Sequence, residues 1–426
     1  MSNLNLIPIG KLFDLEKGSL QSSKCTEGEY TFITAAEEWK THNEYSHECE
    51  ALIFAAAASG SLGRTHYIND KFITSDLCFI LTPKDSKKYP INLKFYHFVF
   101  NSLKDEIVKN TKSGTSKESI NQSNLRNYEI PYFEIDKQNL WIDKLVNTKS
   151  IKEDLELELS TGQSLLKQLK QTILQEAIEG KLTAQWRAKN PDIGIAKELL
   201  EQIKTEKEKL VKDKKIKASK PLAPINEDEI SFDIPSSWEW CRLGEVCNYG
   251  SSSKIEPKDI KEDTWILDLE DIEKESSKLL CKIRGNERNS SSTKSVFHQF
   301  DVLYSKLRPY LDKVIVADEN GVCTTEILPL TFYINIDSYY AMYALKRKDF
   351  LKYVNSLTKG MKMPRLGTDD GKNALFPLPP LEEQKEIVAT IEKLFAICDE
   401  LESEIKQNKI TVQTIMATVL KEAFEN

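Results

Sequence analysis

The chain has 426 residues, 40% of them hydrophobic and 29% charged, which suits two or three domains with ordinary cores. Its formal charge of −7 excludes a simple polybasic nucleic-acid coat while leaving room for a local basic surface. The longest apolar run, Ala51 to Ala58, is far shorter than the roughly 20 residues a membrane helix needs, and the opening Met1-Ser2-Asn3-Leu4-Asn5 lacks a secretion pattern, so a cytoplasmic location is expected.

In chain order, alternation and aromatic content from Leu52 to Leu81 predict short strands broken by turns such as Ser59-Gly60-Ser61. Leu155, Leu159, Gly162, Leu166, Leu169 and Ile173 then follow the four-three spacing of a helix with one apolar seam. The stretch Ala184 to Asp192, with Asn190-Pro191, breaks that helix. A charged helix is expected from Ala196 to about Lys217, and Pro221 and Pro224 open an extended linker. Lys204 to Lys220 holds eight lysines against Glu206, Glu208 and Asp213, a pattern that reads as a solvated helix running into a tether. Strands are predicted again from Phe300 to Ile336, with a turn at Glu319-Asn320-Gly321. Directly after the apolar Val302-Leu303 come Lys306-Leu307-Arg308-Pro309-Tyr310 and Lys313. Residues 346–372 carry eight bases against three acids, whereas residues 379–426 carry five lysines against ten acids. A second long helix follows Leu378-Pro379-Pro380, with a seam that includes Ile387, Ile391, Leu394, Cys398, Leu401, Ile405, Asn408, Val412, Ile415 and Val419.

The two halves repeat each other. Thr172-Ile173-Leu174-Gln175-Glu176-Ala177-Ile178-Glu179 returns as Thr418-Val419-Leu420-Lys421-Glu422-Ala423-Phe424-Glu425, with five of eight positions identical at an offset of 246. Asn69 to Leu77 resembles Asn320 to Ile327, and Ile9-Gly10-Lys11-Leu12 faces Leu243-Gly244-Glu245-Val246. Adding 246 to the first seam gives 401, 405, 408, 412, 415 and 419, so the seams superpose and Gly162 falls on Asn408. Related helices with matching stripes bury them most simply as an antiparallel pair about a pseudo-twofold axis, which would bring Gly162 and Asn408 close. The expected fold class is therefore α+β: two mixed, β-rich domains separated by long helices that pair as an antiparallel coiled coil.

Catalytic motifs fail one after another. Gly367-Thr368-Asp369-Asp370-Gly371-Lys372-Asn373 has one residue too few between its glycines for a phosphate loop and no Ser/Thr after the lysine. Asn190-Pro191-Asp192-Ile193 lacks the second proline and the aromatic of an amino-methyltransferase loop. Triplets such as Glu38-Trp39-Lys40 arise by chance in a chain this charged. Five histidines and eight cysteines show no metal-ligand spacing and no Cys-x-x-Cys pair, so no metal site is expected and the thiols read as reduced. No Gly-x-Ser-x-Gly elbow supports a nucleophile. Binding chemistry survives: Lys and Arg neutralise phosphates, and Arg reads base edges.

Four runs carry a family resemblance: Leu378-Pro379-Pro380-Leu381-Glu382-Glu383-Gln384-Lys385-Glu386-Ile387-Val388; Phe300-Asp301-Val302-Leu303-Tyr304-Ser305-Lys306-Leu307-Arg308-Pro309; Glu179-Gly180-Lys181-Leu182-Thr183-Ala184-Gln185-Trp186-Arg187; and Ile234-Pro235-Ser236-Ser237-Trp238-Glu239-Trp240. With them the chain resembles, over essentially its whole length, the specificity subunit of type I restriction-modification enzymes. The resemblance implies target-recognition domains at 1–135 and 221–378, a central helical spacer and linker at 136–220, and a C-terminal helical spacer at 379–426. It implies a chain without catalysis of its own, each recognition domain reading half of a bipartite double-stranded DNA target. S-adenosylmethionine would sit on two methyltransferase subunits, and ATP and Mg on motor-nuclease subunits.

The DNA-contacting candidates are Lys306, Arg308, Tyr310, Lys313, Lys359, Lys362 and Arg365 in the second lobe and, more weakly, Arg64, Lys112, Lys117 and Arg126 in the first. There Ala56 to Tyr67 replaces the basic loop, and Ile130-Pro131-Tyr132-Phe133-Glu134-Ile135-Asp136 only loosely follows Leu-Pro-Pro-Leu-Glu-Glu-Gln. Glu382, Glu383 and Gln384, taken as solvent-facing, are the candidate methyltransferase-docking residues. A rival reading is a duplicated coiled-coil scaffold that binds protein partners, and a second is a specificity subunit serving a methyltransferase that is not type I.

Overall fold

The computed structural model describes residues 5–58, 60–113, 118–216, 218, 221–288, 290–357 and 362–425. It divides into two compact units, residues 1–162 with 404–426, and residues 163–403. No helix among the described residues is long and apolar enough to cross a membrane.

Unit one runs β1 (Leu6–Pro8), α1 (Ile9–Leu12), β2 (Phe13–Lys17), β3 (Tyr30–Ile33), β4 (Lys40–His42), β5 (His47–Ala55), β6 (Thr65–Thr74) and β7 (Cys78–Pro83). There follow α2 (Leu93–Ser102), α3 (Lys104–Thr111), the small hairpin β8 (Lys112–Ser113) and β9 (Ser119–Ile120), α4 (Gln122–Asn127), β10 (Glu129–Pro131) and the start of α5 (Ile135–Ile178). Six strands form one sheet in the order β2-β7-β5-β6-β3-β4, antiparallel except for the parallel β3–β6 pair. The run Ala51 to Ala55 is apolar because β5 is covered on both faces. Leu52 and Phe54 pack on one side against Phe13, Tyr96 and Phe100, and Ala51, Ile53 and Ala55 pack on the other against Ile33, Phe72 and Ile80.

Unit two begins in the second part of α5 and continues through α6 (Ala184–Lys189), α7 (Ala196–Lys212), β11 (Glu239–Arg242), α8 (Leu243–Val246), β12 (Cys247–Tyr249), β13 (Lys254–Ile255), β14 (Trp265–Leu267) and β15 (Ile283–Arg284). Next are β16 (Lys294–Phe297), β17 (Val302–Ser305), β18 (Val314–Val316), β19 (Gly321–Cys323), β20 (Ile327–Phe332), α9 (Ser338–Lys346), α10 (Lys348–Leu357), α11 (Thr368–Asn373), β21 (Leu375–Leu378) and the first part of α12 (Leu381–Glu425). Its sheets are ordered β12-β20-β17-β18 and β13-β16-β19-β14-β15.

The repeat legible in the sequence is a repeat of topology. The order β12-β20-β17-β18 restates β2-β7-β5-β6, and the parallel β14–β19 pair restates β3–β6. Each long strand of the first hairpin is replaced by two, β16 with β17 and β18 with β19. The break falls at Phe300, whose φ is 70°, and at Asp301, whose buried carboxylate accepts from the His298 N–H at 2.8 Å and the Thr331 hydroxyl at 2.7 Å. Gly10 of α1 lies against the stem of Arg126, and Gly244 of α8 against the stem of Lys372, so even this close approach recurs.

Within each unit α5 and α12 run antiparallel. In unit one Trp141 and Leu145 join the core that holds Leu420 and Ala423, and Lys144 pairs with Glu422 at 3.0 Å. In unit two Ile387 and Ile391 share a core with Leu174 and Ala177. These are the same four positions moved by 246 and exchanged between helices, as the superposed seams require. Leu166, Ile173 and Val412 are buried, and Leu155, Leu159, Ile405, Ile415 and Val419 are half-buried. Leu169 and Leu401 depart from the expected seam, being 45% and 42% exposed. Two helices alone cover a narrow stripe, and beside these leucines the Lys170 ammonium bridges Asp399 at 2.7 Å and Glu402 at 2.8 Å in place of an apolar contact. Gly162 lies opposite Ile405, its missing side chain leaving 3.7 Å, whereas Asn408 is exposed, so the two expected neighbours do not form the contact.

Candidate nucleic-acid interface

The basic loop of unit two begins where β17 ends at Ser305, and its backbone is held at every turn. The Lys306 N–H donates to Glu326 O at 3.0 Å, the Leu366 N–H to Lys306 O at 3.0 Å, and the Arg308 N–H to Pro364 O at 2.8 Å. Arg308 and Asp312 are both left-handed, with φ of 50° and 48°, and enclose the single turn Pro309–Leu311. That turn lifts the Arg308 and Tyr310 side chains into solvent. Among the described residues neither Arg308 nor Lys306 makes a side-chain hydrogen bond or ion pair. Lys362, two residues before the Pro364 carbonyl that Arg308 engages, is likewise exposed. Lys306, Arg308, Tyr310 and Lys362 therefore share one rim.

Other expected contacts are engaged within the protein. The Lys313 ammonium donates to Leu269 O at 2.7 Å, and burial lowers its pKa, so it serves the fold rather than the rim. Arg365 is paired with Glu326 at 3.0 Å and braces the turn whose Glu326 carbonyl holds the Lys306 N–H. In the run 346–348, Lys346 is paired with Asp312, and Arg347 is buried, donating to Ala344 O and Leu375 O. The basic surface is thus narrower than a count of lysines and arginines implied. Lys359 and Lys117 lie outside the described residues.

In unit one the equivalent loop joins β5 to β6. Left-handed backbone is supplied here by Gly60 and Gly63, and a side chain at Gly63 would meet Val108 at 2.6 Å. Arg64 sits at the loop's exit with its guanidinium near Ala35 O and Ser61 Oγ, both at 3.4 Å, and Glu37 at 3.9 Å. It is half-buried. Lys112 is paired across its hairpin with Glu118 at 2.6 Å. Arg126 donates to Leu15 O at 3.1 Å while its stem covers Gly10, which makes it a structural residue. Sequence reasoning passed over Trp39, 40% exposed, whose indole N–H points at His66 Nδ1 at 3.4 Å, with the rings edge to face. Burial lowers the His66 pKa and so favours a neutral ring beside Arg64. The sequence offered only the triplet Glu38-Trp39-Lys40, set aside there as chance, and nothing in it marked the tryptophan as exposed.

The expected docking triplet is corrected more sharply. Glu382 is exposed and pairs with Lys385 at 2.7 Å, but Glu383 and Gln384 are fully buried. The Glu383 carboxylate accepts from the Thr183 hydroxyl at 2.8 Å, Arg187 Nε at 3.0 Å and the Trp238 indole N–H at 2.8 Å. Three of the four runs singled out in the sequence meet at this one group. A buried carboxylate is tolerated because all its partners are donors. Gln384 accepts from the Asp337 N–H at 2.8 Å and donates to Pro379 O at 2.9 Å and Asn335 O at 3.4 Å. In unit one Gln138, 246 residues earlier, accepts from the Asn92 N–H at 2.6 Å and donates to Phe133 O at 2.6 Å and Pro90 O at 2.9 Å. Each glutamine pins the start of its long helix to the N-cap of α2 or α9.

Among the described residues no group of three or more His, Cys, Asp or Glu side chains is arranged to hold a metal ion. The site offers hydrogen-bond donors and positive charge on loops held by backbone hydrogen bonds, which is recognition chemistry.

Comparison with known proteins agrees with this reading. A family model described as the type I restriction modification DNA specificity domain matches residues 1–160 and 235–411. The chain is 24% identical over 419 residues to the specificity subunit of the type I restriction enzyme EcoDI of Escherichia coli, covering 98% of this chain and 87% of that one. It is 30% identical over 291 residues to the EcoEI specificity subunit of Escherichia coli, covering 63% of this chain and 46% of that one. Of solved structures, a chain from a study of complex assembly and conformational transition of the type I R-M system superposes with a TM-score of 0.66 at 14% identity, covering 99% and 97% of the two chains. The HsdS subunit from Thermoanaerobacter tengcongensis superposes with a TM-score of 0.50 at 15% identity, covering 99% and 96%.

Proposed function

The chain belongs to the type I restriction-modification DNA specificity family, and from that premise we propose how it recognises its target. It is the non-catalytic DNA-recognition subunit of such a complex, and each unit reads one half of a bipartite sequence with the loop that closes its central hairpin. In unit two the reading side chain is Arg308, with Tyr310 stacking or packing beside it and Lys306 and Lys362 contacting phosphate. In unit one Arg64 and Trp39 take the corresponding place. A bidentate arginine–guanine pair discriminates by about 1–3 kcal/mol, while phosphate contacts position the protein without selecting a sequence. The exposed faces of α5 and α12, acidic on α12 where Glu382 lies, offer docking surface for two methyltransferase subunits. Those subunits bind S-adenosylmethionine, the restriction subunits use ATP and Mg, and the complex works in the cytoplasm.

One observation carries the assignment of Arg308. Its backbone is fixed in a left-handed conformation by its own unit, yet its guanidinium has no partner among the described residues, while nearby Lys313, Lys346, Arg347 and Arg365 all do. The test is selection from a randomised duplex library by the chain assembled with its methyltransferase subunits. Arg308→Ala should relax one position of one half-site by roughly five- to 150-fold, corresponding to the loss of a base-edge contact. Uniform weakening with a shallower salt dependence would reassign Arg308 to phosphate. Unchanged preference and affinity would remove it from the interface.

A further inference from the structure

Loop geometry in the two units is set by chemically unlike residues at one equivalent place. Helix α9 is capped by Asp337 and α2 by Asn92, and in each the residue nine positions further on, Lys346 or Asn101, turns back to the loop exit. The Lys346 ammonium reaches Asp312 Oδ2 at 2.9 Å, Asp312 O at 3.3 Å, Ser277 Oγ at 2.6 Å and Glu275 O at 2.9 Å. Asn101 accepts from the Thr65 N–H at 3.1 Å and donates to Thr65 O at 2.8 Å and His97 O at 2.9 Å. Asp312 stands two residues before β18, and Thr65 is the first residue of β6.

The backbone around Lys346 is unusual. Of the seven non-glycine residues with positive φ among those described, four adjoin this ammonium or its loop: Glu275 at 64°, Ser277 at 58°, Arg308 at 50° and Asp312 at 48°. Such conformations persist in side-chain-bearing residues only where their surroundings over-determine them. Here they are tied together. The Glu275 N–H donates to Leu311 O at 2.9 Å, and Ser277 Oγ donates to Asp312 O at 2.8 Å. Unit one reaches its loop without this strain, because glycine occupies positions 60 and 63, with Gly63 two residues before β6 as Asp312 is before β18. An uncharged amide suffices there. In unit two a nearly buried ammonium, 10% exposed, gathers the strained turns instead.

We infer that Lys346 and Asn101 are equivalent positioning residues, each fixing the exit of its unit's reading loop and so the direction in which that loop meets the bases; this rests on the loops being the reading elements. Neither residue touches DNA. Lys346 acts through Asp312 on Arg308, and Asn101 acts through Thr65 on Arg64.

The experiment uses the full chain assembled with its methyltransferase subunits and a randomised duplex library. Lys346→Met should lower base preference about tenfold in one half-site, the one that Arg308→Ala relaxes, and leave the other half-site unchanged. Asn101→Leu should do the reverse. Because Lys346→Met leaves the Asp312 carboxylate without its partner, the double variant Asp312→Gly with Lys346→Met keeps the left-handed backbone without steric strain, at a small cost in chain entropy, and separates folding from positioning. It should melt within a few degrees of the parent and still lose preference in that half-site. Parental preference in the double variant, with Arg308→Ala still relaxing one position, would overturn the inference and leave the reading role of the loop standing. Equal loss in both half-sites would mark a general loss of structure and also overturn it. No change with Arg308→Ala would overturn the reading loop and this inference together.

Discussion

Replacing Glu383 tests the reasoning that moved it from a docking surface to the interior. In Glu383→Ala the Trp238 indole N–H and the Thr183 hydroxyl lose their acceptor, and Arg187 loses its carboxylate. A buried donor left unsatisfied costs about 1–3 kcal/mol. Thr183 has Gly180 O at 3.5 Å as a poor substitute, and Arg187, whose side chain is 21% exposed, keeps its bond to Gly180 O and gains water. Trp238 has neither escape. The sum is about 3–5 kcal/mol, the range found when one partner of a buried ion pair is removed. Glu383→Gln should recover less than half of this, because the amide presents its own NH2 to a site made only of donors. Glu382→Ala, on the exposed side of the same turn, should cost less than about 0.5 kcal/mol. Urea unfolding of the full chain followed by circular dichroism measures all three, and at about 3 kcal/mol per molar the alanine variant moves its transition by more than about 1 M. A shift for Glu383→Ala no larger than that for Glu382→Ala, or full recovery by glutamine, would refute the proposed network.

Further outcomes follow from the same structure. Gln138→Leu and Gln384→Leu should each cost about 2–4 kcal/mol in urea unfolding, since each strands one N–H and one carbonyl ahead of α2 or α9 and one carbonyl ahead of α5 or α12; a large cost in one unit with none in the other would break the equivalence. Leu166→Ala should cost about 2–4 kcal/mol and Leu401→Ala under about 1 kcal/mol in the same assay, reversing the equal weight that heptad spacing assigns them. The Arg242 guanidinium beside Glu229, at 2.7 Å, holds its carboxyl down at about 2. Its folded pKa is below the unfolded one of roughly 4.3, so its stabilisation is present above that value and fades as pH falls toward 2; Glu229→Gln should flatten the acid limb of stability against pH, and parallel limbs would exclude the pairing.

What was legible in the sequence is what local pattern encodes. Seam spacing and the charged helix from Ala196 follow from side chains a few residues apart, but the expected break at Ala184 to Asp192 is misplaced: α5 already ends at Ile178, before the left-handed Gly180, and Ala184–Lys189 forms the short helix α6, with Asn190-Pro191 only separating α6 from α7. The burial of Glu383 had a local signal too, since it lies four residues before Ile387 and eight before Ile391 on the inward face, as Gln384 lies four before Val388. Its run of charged neighbours outweighed that spacing. The pairing of the basic residues had no such signal. Whether Lys313 or Lys346 reaches solvent depends on Leu269 O, Glu275 O and the bend that brings Asp312 back to α9, and those partners are fixed only by the tertiary fold.

The duplicated fold also explains where the two units differ. Positions that hold the scaffold recur with the same chemistry: Gln138 with Gln384, Gly10 with Gly244, and the basic stems of Arg126 with Lys372. The hairpin loops share positions without sharing chemistry. Gly63 stands where unit two has Asp312, Asn101 where it has Lys346, and Arg64 lies near Glu37 and Ala35 O while Arg308 extends into solvent. A base-reading surface selects by donor and acceptor positions to within fractions of an ångström, so loops with unlike backbone conformations and unlike anchors present different patterns to DNA. The scaffold can remain duplicated while the loops diverge, because none of the Gln138, Gln384, Gly10 or Gly244 contacts passes through loop residues. On the proposed reading role of these loops, two unlike half-sites are expected from one fold whose hairpin loops have diverged.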